Sequence, residues 1–303
     1  MSKITKLVQK NRITMQIIVQ DFSRVYSEQP FMQGLRDSAK SLEQGAKPES
    51  AEQIRWLDCT RIAGTDCYCD DEAVEEINKL IDENLGTNSA SDITSETSGT
   101  PAIHFFDNGN YHYMSKLWTD RITEPFDLVV FDHHPDMQPP RFGDILSCGG
   151  WVKKVLEENK FVQNIVLIGV ADHLIEELQA DETAEFAKYK DRVTFIPESE
   201  IREWQKSERT TSHLSSNIYF SIDKDALAPS EAATNWDQGS LTFETMTAII
   251  SELARDRNIL GVDICGERAQ EFCAIENGAQ TAQEADELNN KLNQELMEFL
   301  SRQ

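Results

Sequence analysis

Basic charge is what this 303-residue chain has least of: 29 Lys and Arg stand against 53 Asp and Glu, a formal net charge of −24. Nucleic acids and anionic membrane surfaces are bound through basic patches, so neither is an expected partner. Long apolar runs are also missing, and nothing approaches the roughly 18 residues needed to span a bilayer. The basic opening stretch, residues 1–20, has no continuous apolar core and no small-residue cleavage site. That pattern predicts no signal peptide. The six cysteines, at 59, 67, 69, 148, 265 and 273, are scattered. Without a secretion signal they are expected to be free thiols in a reducing cytoplasm. Cys67-Tyr68-Cys69 has a spacing that suits a soft metal, but no further Cys/His pair lies nearby in sequence, so it reads as two loop cysteines. No internal repeat, G-x-G-x-x-G or P-loop points to a nucleotide. Apolar content of 39% is a little low, yet ample for a packed core at this length.

What is present is an alternation of strand-like runs and helical periodicity. Strands are predicted at 15–19, 54–57, 102–106, 126–131, 164–170, 193–196, 217–221 and 258–264. Helices are predicted at 72–84, 111–119, 151–160, 173–189, 198–206, 242–255 and 281–303. The first helix carries Val74, Ile77, Leu80 and Ile81 on one face, and the last carries Ala285, Leu288, Leu292 and Leu296. The stretch between the first two strands is left without assignment, and the Gly-, Ser- and Thr-rich segment 85–100 reads as a surface loop. Such alternation implies crossover units and a mainly parallel sheet with helices on both faces, here as a single α/β domain over 1–303. Ligands in such sheets bind outside the carboxyl ends of the strands.

Two of those strand ends carry chemistry. Leu128-Val129-Val130-Phe131 runs straight into Asp132-His133-His134-Pro135-Asp136, and if the strand continues, Asp132, His134 and Asp136 point to one side. Asn217-Ile218-Tyr219-Phe220 runs into Ser221-Ile222-Asp223-Lys224-Asp225, where Asp223 and Asp225 again share a side. Several carboxylates and an imidazole packed together are costly unless a cation neutralises them. A D-x-H-x-D and an S-x-D-x-D, each directly after a buried-looking strand, therefore predict a metal site. Strand alternation turns His133 away from it.

This pair of motifs resembles the ureohydrolases: arginase, agmatinase, formiminoglutamase and their relatives. The resemblance covers roughly residues 100–270. It implies a three-layer α/β/α arginase/deacetylase fold with two manganese ions per chain at the strand ends. The family's first ligand is a His at a helix start after a Gly-rich turn, a place that His112 occupies in Gly109-Asn110-Tyr111-His112. The implied ligands are His112, Asp132, His134, Asp136, Asp223 and Asp225. One ion would take His112, Asp132, Asp136 and Asp223. The other would take His134, Asp132, Asp223 and Asp225. Four carboxylates and two imidazoles make an oxygen-rich set that suits Mn²⁺ better than Zn²⁺. The implied activity is hydrolysis of a C–N bond in a guanidino or amidine substrate, a small cation, by hydroxide shared between the ions and oriented by Asp136. Trimers or hexamers are common in the family, so a homo-oligomer is a further expectation.

The substrate half departs from the family. Glu267, the candidate to hold the cationic group, lies one residue later than the usual D-x-x-E. The loop Ser147-Cys148-Gly149-Gly150-Trp151 lacks the arginase proton-shuttle His. The stretch up to Asp172-His173 lacks the pair of acids that holds an arginine amine, although His173 begins a helix near a strand end and is a weak substrate-binding candidate. Arginine itself is therefore not the expected substrate. Two alternatives stand beside the leading reading: a single-zinc deacylase of the same fold, and a non-catalytic metal-binding relative.

Overall fold

The computed structural model describes residues 16–44, 53–85, 102–139, 142–201, 214–269 and 281–303. Eight strands form one sheet: β1 (Gln16–Asp21), β2 (Gln53–Asp58), β4 (Ala102–Phe105), β5 (Phe126–Phe131), β7 (Val162–Ile168), β8 (Val193–Ile196), β9 (Asn217–Asp223) and β10 (Asn258–Cys265). Their order is β2-β1-β4-β10-β9-β5-β7-β8, and every neighbouring pair is parallel. All six residues of β5 are buried. Its side chains alternate between two apolar layers, as a strand covered on both faces requires. Val129 and Phe131 pack with α1 (Pro30–Glu43), α6 (Phe243–Ala254) and α7 (Ala282–Leu300). Leu128 and Val130 pack with α2 (Asp71–Leu85), α3 (Met114–Thr119) and α4 (Trp151–Glu158). The three-layer α/β/α expectation is met. No helix among the described residues is long and apolar enough to cross a membrane.

Several details differ from the sequence expectation. The unassigned stretch between β1 and β2 contains α1, opened by Pro30 at the first helical position and buried through Phe31, Met32, Leu35 and Ala39. The helix expected over 173–189 is α5, Asp172–Ala180; two single 3₁₀ turns follow, with Glu185 in a left-handed conformation. Of the helix expected over 198–206, residues 198–200 form a 3₁₀ turn and 202–206 lie outside the described residues; of the loop expected over 85–100, Leu85 ends α2 and 86–100 lie outside the described residues. Two stretches read as loops pair as a short antiparallel ladder, β3 (Tyr68–Cys69) with β6 (Leu146–Ser147).

Helix α7 locks the fold from the C-terminal side. Thr281 and Glu284 form a capping box, each side chain satisfying the other's backbone N–H. Within its buried stripe, Ala285, Leu292, Leu296 and Leu300 are interrupted by Asn289 and Asn293. Buried amides need partners, and Glu267 supplies them, accepting from Asn289 Nδ2 at 2.9 Å and Asn293 Nδ2 at 2.7 Å. Gln29 Nε2 donates to the same carboxylate at 2.8 Å, and the fully buried Lys224 ammonium pairs with it. Removing one member of such a buried pair strands the other charge, at about 3–5 kcal/mol. Lys224→Met is accordingly expected to lower the unfolding free energy by roughly that amount in urea titration; an unchanged midpoint would mean that the network carries no stability.

Candidate metal centre

Both aspartate motifs close with the same local device. Asp132 Oδ1 accepts the His134 backbone N–H at 2.6 Å, and Asp223 Oδ1 accepts that of Asp225 at 3.0 Å. Each is an aspartate satisfying a donor two residues on, which turns the chain sharply at the strand end. The strand does not continue to Asp136, which instead adopts a left-handed backbone, φ +46°. Asp132, His134 and Asp136 thus converge through turns rather than through the expected strand alternation. A non-glycine residue held in that region stores strain, often at a functional site. Gly266, at φ +92°, is compulsory for space: a Cβ there would lie 2.3 Å from Asp223 Oδ1 and 2.7 Å from the Lys224 amide nitrogen.

His112 comes from the turn after β4. A 3₁₀ turn over Gly109–Tyr111, begun by Asn108 accepting the Asn110 N–H at 2.9 Å, delivers the ring to the sheet's carboxyl edge. Its Nε2 meets Ser221 Oγ at 2.9 Å, and Ser115 Oγ meets the same hydroxyl at 2.9 Å. Nδ1 is thereby aimed at three carboxylates: Asp136 Oδ2 at 3.1 Å, Asp132 Oδ2 at 3.2 Å and Asp223 Oδ2 at 3.3 Å. Yet His112 Nδ1 and Asp132 Oδ2 are buried without a partner in hydrogen-bonding geometry. On the other side, His134 Nδ1 lies 2.9 Å from Asp225 Oδ2 and 3.5 Å from Asp132 Oδ1. Two ligand-type groups result, His112–Asp132–Asp136 and Asp132–His134–Asp225, sharing Asp132; a third joins His112, Asp223 and Cys265.

The electrostatics describe a site short of positive charge. Burial, with the charge of Asp132, pushes Asp136 up to about 7. Burial raises Asp223 and Asp225 as well, helped by neighbouring carboxylates. For the imidazoles burial opposes charging, but the carboxylates win: His134 is pushed up to about 12 by Asp132 and Asp225, and His112 well above the usual range by Asp132, Asp136 and Asp223. Burial also opposes the charge on Asp132, which the two histidines hold low. Divalent cations among these atoms would replace the proton as the compensating charge. The donor set and the two orphaned atoms fit such an ion.

A cavity of about 350 Å³ opens above this floor. Asp132, His134, Asp136, Asp223 and Asp225 line its base, with Cys67, Tyr68, Gln138, Cys148 and Trp236 among the walls. Trp236 stands edge-on to His134, ring centroids 5.7 Å apart, and its indole N–H donates to Asn110 Oδ1 at 3.1 Å.

All six expected ligands are brought together. The other expected site residues are not. Glu267, expected to hold the substrate cation, is 1% exposed, and its carboxylate is taken up by Lys224, Gln29, Asn289 and Asn293 instead of facing the cleft. His173 is exposed in the first turn of α5 and does not line the cavity. His133 is buried facing Asp237 and Gly239, turned from the cluster. Sequence reasoning missed four supporting residues: Ser221, which orients His112; Trp151, whose indole donates to Asp136 Oδ2 at 2.7 Å; Cys265, whose thiol donates to Asp223 Oδ2 at 3.2 Å; and Trp236. Ser221 was legible, two residues before Asp223 and therefore on the same strand face. The others come from separate segments and left no local signal.

A parallel α/β/α sheet with a buried His/Asp cluster at its carboxyl ends defines the class: a protein with the architecture and donor set of a metal-centred hydrolase. The arginase family model matches residues 111–268, just over half of the chain, and the chain belongs to the arginase family. An uncharacterized protein of Thermotoga maritima is 25% identical over 251 residues, 83% of this chain and 79% of that protein. Among solved structures, formiminoglutamase of Trypanosoma cruzi with Mn²⁺ has a TM-score of 0.61 at 12% identity, covering 99% of this chain and 98% of that one. Agmatine ureohydrolase of Thermoplasma volcanium has a TM-score of 0.59 at 16% identity, covering 97% and 92%. Arginase from Bacillus caldovelox has a TM-score of 0.59 at 15% identity, covering 93% and 98%. At these identities the structures establish the fold.

If Ser221 fixes the tautomer of a ligating His112, Ser221→Ala weakens divalent-cation affinity by about 10–100-fold while leaving the unfolding midpoint of the metal-free protein nearly unchanged. Calorimetric titration with Mn²⁺ measures the first, and equal affinities would remove Ser221 from that role.

Proposed function

We propose that this chain is a binuclear manganese hydrolase that cleaves a C–N bond of a small cationic substrate of the guanidino or amidine class. The observation that carries the reading is the pair of orphaned, buried ligand atoms, His112 Nδ1 and Asp132 Oδ2, inside two donor groups that share Asp132. His112, Asp132, Asp136 and Asp223 would hold one ion; His134, Asp132, Asp223 and Asp225 would hold the other. When bound, such ions supply Lewis-acid activation of water near neutral pH. The residues of the chain do the rest. With the four floor aspartates neutralised by two divalent ions, the aromatic side chains of Tyr68 and Trp236 in the cleft lining are left to receive a planar cation. Asp136, fixed by the Trp151 indole, orients the attacking water by accepting a hydrogen bond at its carboxylate.

A second reading, a single zinc held by Asp132, His134 and Asp225 in an amide hydrolase, has those three residues grouped in its favour. It leaves His112 Nδ1 among three carboxylates without a role.

Protein loaded with Mn²⁺ is to be assayed for urea and for ammonia on a panel of guanidino, formimino and acylated amines, with metal content measured alongside. The expected result is two manganese per chain and metal-dependent release of urea or ammonia from a member of the panel. Asp132→Ala is expected to lose both metal and activity. One zinc with amide cleavage would establish the second reading, and two bound metals without turnover on any member would overturn the catalytic one.

A further inference from the structure

The Cys67-Tyr68-Cys69 run acquires a partner across the fold. The β3–β6 register sets Tyr68 opposite Ser147 and Cys69 opposite Leu146. One step further places Cys67 opposite Cys148, and the Cys148 N–H donates to the Cys67 carbonyl at 2.9 Å. Directly opposed residues of an antiparallel pair have Cα atoms about 4.5–5.5 Å apart, inside the roughly 4.4–6.8 Å that a disulfide spans. The two side chains lie close enough for each to perturb the other's thiol, and both line the cleft. Cys67 is half-buried and sits in a left-handed backbone at φ +58°. Cys59 and Cys265 are buried elsewhere, and Cys69 is buried beside Tyr113.

Cys148 also connects to the metal centre. Two glycines separate it from Trp151, whose indole N–H holds Asp136 Oδ2 at 2.7 Å. The intervening Gly149 carbonyl accepts the Gln138 N–H at 2.9 Å.

We propose that Cys67 and Cys148 form a reversible disulfide in the cleft wall, a redox modification site whose closure shifts the loop that holds Asp136. The neighbouring Cys148 thiol lowers the pKa of Cys67 against the opposing effect of burial, and Cys67 in turn raises that of Cys148. Cys67 is therefore the attacking sulfur, since the thiolate is the reactive form. With a hydroperoxide as oxidant, the Cys67 sulfur takes one peroxide oxygen to become a sulfenic acid, and the other oxygen leaves as water or alcohol. The Cys148 sulfur then attacks Cys67, and its proton leaves with the sulfenic hydroxyl as a second water. Two thiols are oxidised and one peroxide bond is reduced.

The test treats reduced, metal-free protein with dilute hydrogen peroxide, blocks the remaining thiols and maps the peptides by mass spectrometry. The expected product is a Cys67–Cys148 cross-link that dithiothreitol reverses and that Cys67→Ser and Cys148→Ser each abolish. A bridge to another cysteine, or Cys67 carried on to sulfinic acid with Cys148 still free, would overturn the site. Bridged wild-type protein is then titrated with Mn²⁺, with a several-fold weaker affinity expected than for reduced protein, and no effect of peroxide on Cys67→Ser. Equal affinity of the bridged and reduced forms would overturn the coupling to Asp136.

Discussion

Four carboxylates and two imidazoles meet at the carboxyl edge of the sheet, and the cost of burying that much uncompensated charge shapes everything around them. Burial, helped by neighbouring carboxylates, drives Asp136, Asp223 and Asp225 toward protonation, while the same carboxylates force both imidazoles toward the cationic form. The chain relieves this in part with the donors it has: backbone N–H groups onto Asp132 and Asp223, the Trp151 indole onto Asp136, and the Cys265 thiol onto Asp223. Those donors fix one oxygen or one face of each carboxylate. They leave His112 Nδ1 and Asp132 Oδ2 buried and unmatched, and an unmatched buried polar atom costs about 1–3 kcal/mol. Set among converging carboxylates and imidazoles, these two atoms fit a cation.

One residue away in sequence, at Lys224, the chain solves the opposite problem. Lys224 lies between Asp223 and Asp225, yet its ammonium is turned from them and pairs with Glu267. Glu267 in turn gathers amide donors from Gln29, Asn289 and Asn293. This second cluster carries its own counter-charge and four donors onto one carboxylate, and it ties β10, α7 and the segment before α1 together. The shifted position of Glu267 in the motif acquires a physical meaning. With Gly266 forced into a left-handed backbone beside Asp223, the next side chain turns into the interior rather than over the cleft.

The parallel sheet was readable because its strands are continuous apolar runs, and five of the six candidate donors because each Asp motif abuts one of them; His112 stood out only through the family resemblance. The α1 helix escaped because its buried face, Phe31, Met32, Leu35 and Ala39, is diluted by polar residues on a chain segment bounded by Pro30. Asp136 joins the cluster through a left-handed turn, not through the alternation along a strand that its spacing suggests. Ser221 lay within a recognised motif. Trp151, Trp236 and the Cys67–Cys148 pairing depend on which loops meet in space, and no local periodicity encodes that.

The same division separates chemistry from specificity. The floor is built from residues at the ends of β5 and β9 and the turn after β4, all backed by a sheet buried on both faces. The walls come from loop or edge segments around Cys67, Gln138, Cys148 and Trp236, far apart in sequence. Loops tolerate change that a packed sheet does not. A chain of this fold can therefore lack the arginase-type loop histidine and acidic pair and still keep the six donors of the floor, with aromatic and thiol side chains, Tyr68, Trp236, Cys67 and Cys148, at the rim instead.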